Sequence, residues 1–298
     1  MKQSTTAAGK PAQPKVLARA PAELTRGPLS RLGEGIGKVV YASEHWVVKR
    51  NRTPSEMMAL ILVWKLVRRL ERRLPRSWGR RLLERPSRQL RLLRLAAQGL
   101  VLAVPRSVWF STHAGEVWWI YLRRDRGGER LAEKRLAGTG LMPARITFPP
   151  TRVQTGGWPG WLAVSEAVER VEATLHQRLA TLAEAGRFAE LEMWLQRFLA
   201  LRQAGWARGV FSLDPHLKNF GVIGDRIVLL DAGGLTDRWS EIARRLTYEH
   251  RRGNAARQLG LEPVLAGRPD IAERFNASWK AMVNHEEVKR RWPEEAVL

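Results

Sequence analysis

The stretch from Val210 to Gly233 restricts the possible folds most. It reads Val-Phe-Ser-Leu-Asp-Pro-His-Leu-Lys-Asn-Phe-Gly-Val-Ile up to residue 223, turns at Gly224-Asp225, and continues as Arg-Ile-Val-Leu-Leu-Asp-Ala-Gly. Ile227–Leu230 is an apolar run bounded by turns, the pattern of a short buried strand, so Asp231 stands at the mouth of that strand. Asp214 and Asn219 lie five residues apart in the loop before it. Two carboxylates and an amide near a tight turn are hard oxygen ligands. They suit Mg²⁺ bound to phosphate, because that ion keeps several waters and takes few protein ligands.

The rest of the chain is compatible with a large folded unit around this segment. Its 298 residues, 44% of them apolar, can bury a core without metal or disulfide staples. Cysteine is absent, which excludes disulfides, thiol catalysis, iron–sulfur centres and Cys-based zinc sites. The six histidines show no ligand spacing, so a zinc site is not expected. Lys and Arg outnumber Asp and Glu by 51 to 29, a net charge of +22 that favours anionic partners: nucleic acid, phosphorylated metabolites or a membrane surface. No apolar window is long enough to span a bilayer.

Along the chain, residues 1–28 are rich in Ala, Pro, Thr and Lys and are expected to form a disordered tail. Leu32–Tyr41 reads as a glycine-rich turn entering a strand, followed by a hairpin turn at Ser43–His45 and a strand at Trp46–Arg50. Thr53-Pro-Ser-Glu56 reads as a helix start. Between Lys65 and Arg94 there are eleven arginines and one lysine against Glu71 and Glu84, with leucines throughout. This insertion, 65–95, reads either as helices lying on an anionic surface or as a solvated helical hairpin, with nucleic-acid contact a third option. Ser107–Ser111 and Glu116–Leu122 alternate like a hairpin, and Arg145–Phe148 and Trp161–Val164 like further strands. From Ala173 the pattern is helical, with Phe188, Leu191, Trp194, Leu195, Phe198, Leu199 and Leu201 lining the longest helix. The expected fold class is α+β, with a strand-rich part at 29–168 and a compact helical part at 169–298.

Several motifs together resemble the protein-kinase-like superfamily. Asp214-Pro-His-Leu-Lys-Asn219 resembles its catalytic loop, and Asp231-Ala-Gly233, 17 residues beyond Asp214, resembles its magnesium motif. Gly33-Glu-Gly-Ile-Gly37 resembles the glycine-rich loop, and Val47-Val-Lys49 the strand that carries the phosphate-binding lysine. His216 is similar to the His often found at that position in small-molecule and other atypical kinases, and the chain as a whole resembles compact bacterial kinases that phosphorylate envelope sugars and regulatory kinase-like proteins of similar size. The sequence departs from the family at Lys38, where a third glycine falls, at Ser212, where the family usually has His, and at Ala232, usually Phe.

The resemblance implies a two-lobed fold and a site for ATP and Mg²⁺. In it Asp214 accepts the proton of an acceptor hydroxyl, Asn219 and Asp231 hold metal, and Lys49 contacts the α- and β-phosphates. Glu56 is the expected partner of Lys49, with Glu71 the alternative. Gly33, Gly35 and Gly37 let the backbone approach phosphates. Val40 packs on the adenine ring, and the backbone from Glu166 to Val168 makes its hydrogen bonds. His216 is either a site residue or a satisfier of loop backbone groups. Three whole-protein functions follow: phosphotransfer to a hydroxyl, with an anionic lipid-linked or envelope sugar as an attractive acceptor; nucleotide binding by a regulatory pseudokinase; and nucleic-acid binding, which charge alone suggests. The expected location is the cytoplasm or the inner membrane face.

Overall fold

The computed structural model describes residues 15–34, 37–53, 56–57, 113–157 and 160–293. The arginine-rich insertion 65–95, the expected hairpin strand at Ser107–Ser111, and Gly35 lie outside these. The fold is α+β. Strands β1 (Lys15–Val16), β2 (Ser30–Glu34), β3 (Lys38–Ala42), β4 (Trp46–Asn51), β5 (Arg145–Gln154) and β6 (Trp161–Glu169) form one sheet in the order β1-β5-β6-β4-β3-β2. All pairs are antiparallel except β1 with β5. Residues 15–28 are therefore not a disordered tail. Lys15–Val16 adds a parallel edge strand, α1 (Ala22–Thr25) follows, and Leu24 and Leu29 are buried against the sheet.

Side chains alternate across this sheet, and directly paired residues share a face. Tyr41 pairs with Val48, and both join a core containing Ile146, Phe148, Val153, Leu162 and Ala167. Val40 pairs with Lys49, and Val47 with Ala42 and Val168, so these residues occupy the opposite face. Lys38, two residues before Val40, lies on that face too. The expected hairpin turn is present, closed by the Ser43 amide on the Trp46 carbonyl at 2.9 Å.

The run Glu116–Leu122, expected as a strand, is helical. It belongs to α2, a 24-residue helix from His113 to Leu136. Aromatic and β-branched residues raise strand propensity, but such preferences yield to context, and the following Arg-, Glu- and Ala-rich sequence favours helix propagation. Asp125, Gly128, Ala132 and Leu136 are spaced by three and four residues and form one buried stripe of α2.

The second core is helical. Thr174 and Gln177 make a reciprocal capping box at the start of α3 (Leu175–Glu184), whose Leu175, Leu179 and Leu182 are buried. In α4 (Phe188–Trp206) the buried stripe runs Leu191, Trp194, Leu195, Phe198, Leu199, Arg202, Trp206. Arg202 thus occupies the core position, and Leu201 is only partly buried. β7 (Ala173–Thr174) precedes α3, and after α4 come β8 (Phe211–Ser212), a 3₁₀ turn at Leu217–Asn219, β9 (Phe220–Ile223), β10 (Arg226–Leu229) and β11 (Leu235–Thr236). The hairpin of β9 and β10 turns at Gly224, whose φ of 58° suits glycine. Helices α5 (Trp239–Arg252), α6 (Ala255–Leu259), α7 (Glu262–Leu265), α8 (Pro269–Met282) and α9 (His285–Arg291) complete the chain.

Residues 170–172 tie the sheet to this second core. The Arg170 amide donates to the His45 carbonyl at 2.8 Å, and the Glu172 amide to the Val222 carbonyl at 2.9 Å. Another tie is α2. A Cβ at Gly128 would stand 1.8 Å from the Ala232 carbonyl oxygen, so the helix sits directly on the backbone beyond Asp231. A Cβ at Gly127 would meet nothing within 4 Å. Adjacent alanine substitutions should therefore act in opposite directions. Chemical denaturation should find Gly127→Ala neutral or stabilising by up to about 1 kcal/mol, and Gly128→Ala destabilising by about 1–3 kcal/mol. Equal effects would mean that α2 does not approach residue 232 so closely.

Candidate functional site

The loop after β8 is held by its own polar groups. Ser212 Oγ and Asn219 Nδ2 both donate to the Asp214 carbonyl, each at 3.1 Å. The Leu213 amide donates to the Gly234 carbonyl at 2.8 Å, and the Leu230 amide to the Asn219 carbonyl at 2.8 Å. Asp214, Asn219 and Asp231 are thereby drawn into one small region. Because Asn219 uses its nitrogen on the loop, its Oδ1 is the atom that could ligate a cation. Asp231 Oδ1 accepts from the Gly233 amide at 2.9 Å, which fixes the carboxylate and leaves Oδ2 for a ligand. This donor set of hard oxygens fits Mg²⁺.

Lys49 approaches the same place from the sheet. Its Nζ donates to the Leu230 carbonyl at 2.7 Å, one residue before Asp231. Its side chain is exposed to solvent although protein atoms crowd around its ammonium group. Desolvation first, and then the neighbouring Lys38 charge, lower its pKa, although Asp231, Glu129 and Asp125 oppose the shift.

Glu56 does not pair with Lys49. Its carboxylate takes two bonds from Arg50, at 2.6 and 2.8 Å, and one from the Thr53 amide at 2.8 Å. The alternation of β4 explains this, since Arg50 and Lys49 point to opposite faces. Thr53 Oγ1 accepts from the Glu56 amide at 3.3 Å, so Thr53 and Glu56 form a capping box. Burial favours the neutral Glu56 acid, but the Arg50 and Thr53 bonds outweigh it and hold the carboxyl below its ordinary value.

The acids near the lysines come instead from α2. Lys38 Nζ lies 2.9 Å from Asp125 and 2.6 Å from Glu129. Asp125 is buried, and a Cβ at Gly233 would stand 2.5 Å from its Oδ1. Desolvation, followed by the Glu129 and Asp231 charges, raises the Asp125 pKa despite Lys38. Burial would discharge Lys38, but its two carboxylate bonds win and raise its pKa above that of an ordinary lysine. Sequence reading missed Lys38, Asp125 and Glu129. The acids lie just beyond the run Glu116–Leu122, in sequence that carries no motif, and Lys38 stands out in the sequence only as a missing glycine. A helical reading of 113–136 would have exposed the Asp125–Gly128–Ala132–Leu136 stripe.

The remaining expected residues divide. Val40 and Val168 share the Lys49 face of the sheet, Val40 on the strand next to the β2 edge and Val168 beside the connection 170–172. Glu166 is exposed and binds Arg145. Gly33 lies within β2 opposite Val40, with nothing near a would-be Cβ, so no close approach demands glycine there. Gly37 is buried, and its carbonyl accepts from the Arg52 amide at 2.7 Å. His216 donates its amide to Asp214 Oδ1 at 3.4 Å, and its ring would lie 3.3 Å from a Cβ at Gly260. Burial lowers the pKa of that ring. Elsewhere, the carboxylates of Glu23 and Glu44 and a ring nitrogen of His45 come within 4.8 Å of one another at the β3–β4 turn. Glu23 there already accepts from the His45 amide at 3.0 Å.

No family model matches this chain, and no characterised protein or solved structure matches it.

The opposite shifts of the two cleft lysines can be read by competitive labelling with an amine-reactive reagent at mildly alkaline pH. Only the neutral amine reacts, and each pKa unit changes its fraction about tenfold in this range. Lys49 should label faster than the surface residues Lys134 and Lys289, and Lys38 slower. Labelling of Lys49 no faster than the surface lysines would contradict this electrostatic arrangement.

Proposed function

We propose that the chain is an ATP- and Mg²⁺-dependent phosphotransferase with a two-lobed, protein-kinase-like fold that acts on a hydroxyl. The observation that carries this reading is the meeting of Lys49, from the sheet, with the Leu230–Asp231 strand end, while Asn219 ties that strand end to the Asp214 loop. Phosphoryl transfer asks little of a protein beyond positioning and charge stabilisation. A lysine, two carboxylates and an amide oxygen within one cleft supply both.

Asp231 and Asn219 are the residues that would hold Mg²⁺, which would supply neutralisation of the charge that develops during transfer. Lys49 would contact the phosphates, with the Val40 and Val168 face as the surface for the adenine ring. Asp214 is exposed to solvent, as an acid that receives an acceptor hydroxyl must be, and would orient that hydroxyl and take its proton. A net charge of +22 favours an anionic acceptor, such as a phosphorylated or lipid-linked sugar, and association with an anionic membrane surface. Among the described residues no helix is long and apolar enough to cross a membrane.

A second reading is favoured by one observation. Glu56 is committed to Arg50, and the α2 carboxylates bind Lys38 rather than Lys49. In the kinase pattern a helix carboxylate holds the phosphate-binding lysine, so a nucleotide-binding regulatory protein with little turnover is the alternative.

Transfer of label from γ-labelled ATP with Mg²⁺ into fractionated lipid, sugar and protein extracts separates the two. Asp214→Asn should lower transfer by about 10²–10⁴-fold while ATP affinity stays within a few-fold. ATP binding without transfer in either protein would select the regulatory reading. Absence of ATP binding would overturn both.

A further inference from the structure

Arg202 sits where the α4 stripe calls for an apolar residue, and it is only 4% exposed. Its Nη1 makes one hydrogen bond, to the Ser212 carbonyl at 3.3 Å, while Nε and Nη2 have no partner. The guanidinium lies 5.8, 5.1 and 5.4 Å from the ring centroids of Trp206, Phe211 and Trp279. Burial lowers its pKa to about 10. Beside it is a cavity of about 40 Å³ lined chiefly by apolar side chains, Leu141, Leu201 and Val210 among them. The nearest countercharge in the core, Glu249, is already bonded through Oε1 to Arg245 Nε at 2.6 Å.

Such a placement is expensive. A desolvated guanidinium with one long hydrogen bond recovers only part of its lost hydration, and ring contacts return a further part. A methionine of similar length would fill the same space and keep the ring contacts. It could not donate to Ser212. That carbonyl belongs to the residue whose Oγ holds the Asp214 carbonyl, and Ser212 itself replaces the usual histidine of the kinase-like pattern.

We propose that Arg202 is a positioning residue: from beneath the loop its Nη1–H fixes the Ser212 carbonyl and thereby the backbone from which Asp214 projects. Its value is in geometry rather than stability. The functional part of this inference rests on the phosphotransfer reading; the structural part does not.

The test compares the wild-type chain with Arg202→Met and Arg202→Lys by thermal melting, amide hydrogen exchange and ATP-dependent transfer. Arg202→Met should melt at or above the wild-type temperature, because the buried charge is gone and Glu249 keeps Arg245. Exchange at the hydrogen-bonded amides of Leu213 and Asn219 should accelerate at least tenfold, with α4 and β9 unchanged. Transfer should fall at least tenfold at unchanged ATP affinity. Arg202→Lys, which retains a donor, should restore part of the loop protection. Unchanged loop exchange in Arg202→Met would overturn the proposal, as would a lower melting temperature with uniformly faster exchange, the signature of a merely structural residue. If the wild type transfers no phosphate, the phosphotransfer reading fails, and local exchange still decides the role of Arg202.

Discussion

The ion pair between Lys38 and the α2 carboxylates Asp125 and Glu129 is the interaction on which the cleft depends. It joins β3 to a helix that itself rests on the backbone at Ala232 and Gly233. Through it, a residue of the sheet and a residue of the helical core are held by one side-chain cluster. A partly buried pair of this kind is a poor source of net stability, because desolvation consumes much of the attraction. What it supplies is register: Lys38 can reach both acids only if α2 lies along the β3–β4 face. That placement puts Lys49, two strand residues and one cross-strand pairing away, over the Leu230 carbonyl.

The charges in the cleft are arranged so that each depends on the others. Asp125 lies against Gly233 and close to Asp231, and its burial raises its pKa. Lys38 offsets that cost and in doing so disfavours the charged form of its neighbour Lys49. Lys49 thus has a backbone carbonyl as its bonded partner, with the Asp231 carboxylate acting on it against the desolvation that lowers its pKa. Beneath, the uncharged hydrogen bonds of Ser212 and Asn219 shape the loop that brings Asp214 to the same opening.

Much of this was legible in the sequence, and particular residues show why. Asp214, Asn219, Asp231 and the Gly224 turn were readable because short polar loops between apolar strands have local signatures. Val40, Val47 and Lys49 came with the resemblance to the kinase-like pattern, and their strand pairing puts them on one face of the sheet. The Thr53–Glu56 capping box was visible as a helix start, yet the partner of Glu56 was misassigned: choosing between Arg50 and Lys49 requires knowing which strand face looks into the cleft. The strand expected at Glu116–Leu122 failed because aromatic-rich runs serve either structure, and this one continues into strong helix formers. Asp125 and Glu129 lie beyond that run and carry no motif of their own, and their contact with Lys38 spans 87 and 91 residues of sequence. The order of residues 15–28 was missed because two residues of edge strand carry no periodic signal. Arg202 was hidden by its type, since a stripe is traced through its apolar members.

The central claim is that Lys38 and Asp125 clamp the sheet to α2, and a double-mutant cycle on unfolding free energy tests it most directly. Lys38→Met, Asp125→Asn and the double variant should show a coupling of about 1–3 kcal/mol, as expected for side chains in one buried network. Effects that add to within about 0.5 kcal/mol, the behaviour of independent sites, would contradict the clamp and with it the geometry assigned to the cleft.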